Sequence, residues 1–130
     1  MVKIYLCAPN RYYFYSEKLA VKLEEQGFNV LYAAKNTDQR SEKHKIFGSN
    51  VSLINACDVF LAYFVHDGYY GIDFASETGY AAGKKKVIGF IDVEMEYYKS
   101  FMRRLDKDVM LSHFIESYFN RFEELVANIR

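Results

Sequence analysis

Short, nearly continuous apolar runs alternate along this chain with longer segments in which apolar residues recur at helical spacing. Lys3 to Ala8 (KIYLCA) predicts a strand, ended by the turn signal Pro9-Asn10. A helix is expected from Ser16, with Leu19, Val21 and Leu23 set among charged residues and Gly27 closing it. Phe28 to Ala34 predicts the second strand, Lys35 to Lys45 a loop or frayed helix, and Ile46 to Ala56 a helix that turns Val51 and Ile54 inward. The β-branched and aromatic run in Asp58 to Val65 predicts the third strand, Asp73 to Gly83 a helix, and Val87 to Ile91 the fourth strand. This βαβαβαβ order, with strands apolar on both faces, predicts a doubly wound α/β fold. The expected sheet is parallel, flavodoxin-like (Rossmann-like), of about five strands with helices on both sides. In the tail, Met95 to Leu105 is helical or irregular, Val109 to Leu111 a short fifth strand, and Ser112 to Ile129 an amphipathic helix. With no linker, repeat or low-complexity segment, residues 1–130 read as a single domain.

Composition narrows the classes of partner. The chain has 130 residues, half of them apolar, and 17 basic against 17 acidic side chains, enough for one core but not for a concentrated positive face. Lys84, Lys85 and Lys86 are the only basic cluster, so a nucleic acid polymer is not an expected partner, whereas free nucleosides and other small molecules remain open. No apolar stretch approaches the roughly 20 residues of a membrane span, and the sequence opens on a strand rather than a signal, so a cytoplasmic protein without a membrane partner is expected. Cys7 and Cys57 fall in or beside predicted buried strands with no His or second Cys at ligand spacing, which predicts core thiols and no metal.

Candidate chemistry gathers between Asp58 and Gly83. Asp67, Asp73 and Glu77 cluster beyond the carboxyl end of the third predicted strand, where open α/β sheets bind ligands. Glu77 is expected in about the first turn of its helix, where unpaired N–H groups and the helix dipole favour a charged carboxylate. That suits a nucleophile attacking an anomeric carbon. Asp73 lies four residues earlier on the same helical face, and Asp67 in the preceding loop. A purely structural reading fits the same residues, with Asp73 as N-cap, Glu77 as dipole partner and Asp67-Gly68 as a turn. Gly68, Gly71, Gly79 and Gly83 serve either close ligand approach or tight turns. No GxGxxG or P-loop pattern supports a dinucleotide or triphosphate site. Tyr12, Tyr13, Phe14 and Tyr15 follow the first strand in a loop; they either stack on a base, a contact worth roughly 1–3 kcal/mol, or pack in the core or at a subunit contact. His66 beside Asp67 suggests a general base, but a lone histidine at a strand end is more often structural.

Three motifs occur in order: KIYLCAP at the start, SETGYAAGKKKVIGFI from Ser76, and Asp-Val-Met-Leu at 108–111. Together they resemble the nucleoside 2-deoxyribosyltransferase family over nearly the whole chain. The resemblance implies that Glu77 is the nucleophile, that Tyr5 in the first strand reaches it, and that Asp108 and Met110 complete the pocket of a neighbouring subunit. It therefore implies a homo-oligomer, a dimer or higher, with shared sites. The sequence departs from the family pattern at three positions. Asn50 stands where the family has a base-handling aspartate, and can hydrogen-bond a base but not protonate it by ionisation. Gly71 stands where the family's loop aspartate is usual, which leaves Asp73, and after it Asp67, to hold the sugar hydroxyls. Asp108 replaces an asparagine, and its charge would repel a phosphate and favour nucleosides. One of Tyr13 and Phe14 would stack on the base. The implied activity is cleavage of the N-glycosidic bond of 2′-deoxynucleosides with transfer of the deoxyribosyl group to another nucleobase, without metal or organic cofactor. The alternatives are a nucleoside or nucleoside 5′-monophosphate N-glycosidase and a non-catalytic nucleotide-binding domain.

Overall fold

The computed structural model describes residues 1–130. Its centre is a parallel sheet of β1 (Lys3–Cys7), β2 (Asn29–Leu31), β3 (Val59–His66), β4 (Lys86–Val93) and β5 (Ser117–Phe119), in the order β2-β1-β3-β4-β5. The longest pairing, Val59 with Lys86 through His66 with Val93, joins the two longest strands. The helices are α1 (Tyr13–Glu25), the single turn α2 (Ala33–Asn36), α3 (Lys43–Ala56), α4 (Ile72–Ala81), α5 (Met95–Lys107), α6 (Val109–Phe114) and α7 (Phe122–Ile129).

Two-residue alternation divides the core into two layers. Ile4, Leu6, Leu61 and Val65 point to the side covered by Leu19 and Leu23 of α1 and Leu125 and Ile129 of α7. Tyr5, Cys7, Phe60, Ala62 and Phe64 point to the other side, against Ile54 of α3, Phe74 and Ala81 of α4 and Phe101 and Leu105 of α5. This is the doubly wound, flavodoxin-like arrangement that the alternating pattern predicts. The strand order reverses between β1 and β3, and a crevice opens outside their carboxyl ends.

Several boundaries differ from expectation. The fifth strand is not Val109–Leu111, which lies in α6, but Ser117–Phe119, inside the segment expected to be one long amphipathic helix. Three apolar residues carry no period that separates strand from helix turn. Here Glu116 decides the pairing, since its backbone N–H donates to the Val87 carbonyl at 3.0 Å while its carboxylate accepts the Val87 N–H at 2.8 Å, steering the next residues alongside β4. The second strand stops at Leu31, because the Asn36 side chain accepts the Tyr32 N–H at 2.9 Å and winds the chain into α2. A 3₁₀ turn over Asn10–Tyr12 runs directly into α1, so Tyr13, Phe14 and Tyr15 are helical rather than in a covering loop.

Candidate functional site

Glu77 sits in the second turn of α4, which starts at Ile72 behind an extended Gly71 with no side-chain cap. The dipole effect fades beyond the first turn, so the carboxylate's partners are side chains instead. Tyr5 donates its O–H to Oε1 at 2.8 Å, Cys7 donates its S–H to the same oxygen at 3.6 Å, and Asn50 Nδ2 donates to Oε2 at 3.2 Å. Three elements deliver these donors. Tyr5 and Cys7 are alternate residues of β1 on one face of the sheet, and Asn50 comes from α3.

An ionised carboxylate only accepts, which turns Asn50 Oδ1 toward Thr37; Thr37 donates its O–H to that oxygen at 2.8 Å and shares a 2.9 Å hydrogen bond with the Ser49 hydroxyl. Its amide nitrogen therefore faces Glu77. Burial lifts the Glu77 carboxyl above the ordinary glutamate range; the three donors oppose the shift, and the nearby Asp73 adds to it, without reversing the net direction. The position in the helix had suggested a carboxylate favoured in its charged form, whereas burial is the stronger effect. Burial, together with the facing carboxylate, pushes the Tyr5 phenol and the Cys7 thiol far up, so both keep their protons and act as donors.

These groups form one wall of a cleft of about 1080 Å³ at the carboxyl ends of β1 and β3. Asn50, Gly71, Asp73 and Tyr13 line the same cleft, with Tyr32, Phe47, Tyr69 and Tyr80 supplying further aromatic surface and Arg11 and Lys43 positive charge. A smaller cavity of about 400 Å³ opens beside α5 and β5 and contains one carboxylate, Asp106, with no partner acid.

Other predicted residues lie elsewhere. Asp67 faces away from the cleft and anchors its turn, accepting the Tyr12 O–H at 2.5 Å and the Tyr69 N–H at 2.9 Å. Partial burial of Asp67 is outweighed by these two bonds and by His66, which hold its carboxyl below the usual range. Phe14 is 59% exposed beneath the Lys18 ammonium, because one step along α1 turns it off the face that carries Tyr13. Asp108 accepts the Tyr70 O–H, and Met110 is exposed on α6; neither lines the cleft of its own chain. Asp73 is not the helix cap, a position held by Gly71.

Cys7 is the main residue that sequence reasoning missed. It was expected to be a plain core thiol, although the two-residue spacing from Tyr5 was a signal that both face the same ligand. His66 is neither free nor a base at the cleft. Its ring is surrounded by Tyr12, Tyr15 and Tyr97, and Nδ1 lies 3.1 Å from Glu94 Oε2.

A family model for nucleoside 2-deoxyribosyltransferases matches residues 4–126. The chain belongs to this family. A search of curated protein sequences gives no match. Among solved structures, this nucleoside 2-deoxyribosyltransferase family member resembles the 2-deoxyribosyltransferase of Bacillus psychrosaccharolyticus, with a TM-score of 0.72 and 17% identity over 98% of this chain and 96% of that one. It also resembles the Clostridium botulinum CMP N-glycosidase, with a TM-score of 0.59 and 20% identity over 98% and 96% of the two chains. The 2-deoxyribosyltransferase of Leishmania mexicana matches with a TM-score of 0.58 and 21% identity, over 70% of this chain and 65% of that one. At such identities the likeness establishes the fold. No helix of this family member is long and apolar enough to cross a membrane.

Proposed function

We propose that this protein cleaves the N-glycosidic bond of 2′-deoxynucleosides and transfers the deoxyribosyl group to a second nucleobase. The observation that carries the reading is a half-buried glutamate held by three neutral donors on the wall of a cleft large enough for a nucleoside. Oε1 of Glu77 accepts two of those donors, which leaves Oε2, with the single longer bond from Asn50, as the attacking atom. As the Oε2–C1′ bond forms, the C1′–N bond breaks and its electron pair leaves with the base. The Asn50 amide has two N–H groups, of which one engages Glu77 and the other is free to hydrogen-bond the departing base. The incoming base then attacks C1′, the ester bond to Glu77 breaks, and the proton lost by the incoming base balances the one gained by the departing base. Asp73, four residues before Glu77 on the cleft side of α4, accepts hydrogen bonds from the sugar hydroxyls, and Tyr13 offers a face to the base. A second copy completes the pocket through Asp108 and Met110, which stand outside the cleft of their own chain, so the working form is a homo-oligomer.

A second reading, hydrolysis of nucleoside 5′-monophosphates, is favoured by Arg11 and Lys43, which line the cleft without a carboxylate partner. Against it stands Asp108, whose negative charge would repel a phosphate in the neighbouring subunit's pocket that it completes. Chromatography of products from 2′-deoxyinosine or thymidine and from a nucleoside 5′-monophosphate, with and without free adenine and beside a Glu77→Ala control, separates the readings. Deoxyadenosine formed only with intact Glu77 supports the transferase. Base released equally without an acceptor, or only from the monophosphate, supports the hydrolase, and no reaction with any substrate refutes both.

A further inference from the structure

Cys7 is buried at the end of β1 and lines the same cleft as Glu77. Its sulfur lies 3.6 Å from Glu77 Oε1, the oxygen that also accepts the Tyr5 hydroxyl. We propose that Cys7 is a positioning residue for the nucleophile. Its S–H and the Tyr5 O–H both hold Oε1, so that Oε2 is the oxygen left for the substrate. The inference rests on the reading of Glu77 as the nucleophile.

A thiol is a weak donor, but three features of the surroundings make this one effective. Burial keeps its proton on sulfur, so it donates at every working pH. Its acceptor is a half-buried carboxylate, and a hydrogen bond to a charged group is stronger than one between neutral groups. The backbone that carries it is locked by the parallel pairing of Cys7 with Ala62 in the sheet interior, so the sulfur cannot drift from the carboxylate. The other ionisable or polar groups around the pair are Tyr5 on β1, Asn50 on α3, and Asp73 and Thr78 on α4. Asp73 alone among them repels the carboxylate charge, so losing the thiol leaves that repulsion opposed by two donors instead of three.

Positioning through a hydrogen bond has a pH signature that packing alone lacks. Removing a donor from a carboxylate disfavours its charged form, so loss of the thiol raises the pH at which Glu77 ionises and depresses turnover on the acid side only. The test is a Glu77 carboxyl titration by ¹³C NMR, assigned with Glu77→Gln, in wild type, Cys7→Ala and Cys7→Ser. The kcat/KM pH profile of the same proteins is measured on a deoxynucleoside. In Cys7→Ala the titration moves to higher pH and kcat/KM falls by about twofold to tenfold at acid pH, with less than about twofold change on the alkaline plateau. Cys7→Ser, which keeps a donor on the same Cβ, restores both toward wild type. A Glu77 titration unmoved in Cys7→Ala overturns the proposal, as does an equal loss at every pH in both variants, the mark of a packing role. A titration that moves as described in a protein that turns over no deoxynucleoside or deoxynucleotide supports the positioning contact and refutes the catalytic reading of the cleft instead.

Discussion

Replacing Glu77 by glutamine removes the charge of the proposed nucleophile while nearly preserving its shape, and the structure dictates that the variant is the more stable protein at neutral pH. The Glu77 carboxyl titrates above its ordinary range because burial outweighs three hydrogen bonds. The folded chain therefore holds a proton that the unfolded chain releases, and the stability this contributes is complete below the ordinary glutamate pKa. It is lost as pH rises through the folded value. Above that point wild type carries a buried charge that glutamine lacks. Glutamine also keeps its partners. Its carbonyl oxygen accepts the Tyr5 and Cys7 donors, and its amide meets Asn50, which can turn over because the Thr37 and Ser49 hydroxyls are able to reverse their donation. Stabilisation from relieving an active-site carboxylate is expected at about 0.5–2 kcal/mol, or about 2–8 °C in Tm for a chain of this size. Thermal melts followed by circular dichroism between pH 4 and pH 8 measure it. The Tm difference is positive at pH 8 and closes toward pH 4. A glutamine variant less stable than wild type at pH 8, or a difference independent of pH, would refute the argument that burial dominates at Glu77.

Tyr5→Phe removes the shortest of the three donors and is expected to lower kcat/KM by about tenfold to a hundredfold, most strongly at acid pH, as read from pH–rate profiles; a loss uniform across pH contradicts a charge-stabilising role. Asn50→Asp sets a second carboxyl 3.2 Å from Oε2, so the pair shares a proton and the profile gains an alkaline limb that wild type lacks; a profile with an acid limb alone argues against that sharing. Gly68→Ala is expected to destabilise the fold by about 2–4 kcal/mol in urea melts, because its φ of +78° disfavours a side chain and the added Cβ would lie 2.4 Å from Phe101 Cδ1.

The parts of this protein that were legible in the sequence are those fixed by periodicity. The apolar runs at Ile4, Phe60 and Val87 could only be buried strands, and their alternation with helical segments left few sheets other than a doubly wound one. Tyr5 meets Glu77 as the family resemblance implied, since both positions follow from strand and helix ends already located, whereas the Asn50 contact with Glu77 was not foreseen. Features set by contacts distant in sequence were not legible. The fifth strand depends on Glu116 capturing Val87, and the place of Asp67 on Tyr12, 55 residues away. Asp108 accepts the Tyr70 O–H from 38 residues away, a contact that its own stretch of sequence does not announce.

In the proposed role of Glu77, a half-buried carboxylate serves as a nucleophile without a cation beside it. A lysine or arginine against Glu77 would favour the carboxylate too strongly and make it a poorer nucleophile, because a full positive charge stabilises the anion most before the ester bond forms. A phenol, a thiol and an amide are neutral; they hold the anion in place yet leave its proton affinity high, as the upward shift at Glu77 records. The two cations that line the cleft, Arg11 and Lys43, make no hydrogen bond or ion pair with Glu77, and Arg11 packs over the Tyr69 ring with 4.0 Å from guanidinium carbon to ring centroid. The arrangement separates holding a substrate from activating the nucleophile. Charge-reversing Lys43→Glu is accordingly expected to raise KM for a nucleoside 5′-monophosphate while leaving kcat for an unphosphorylated nucleoside within about threefold, and an equal fall of kcat on both substrates would show that the two tasks are not separate.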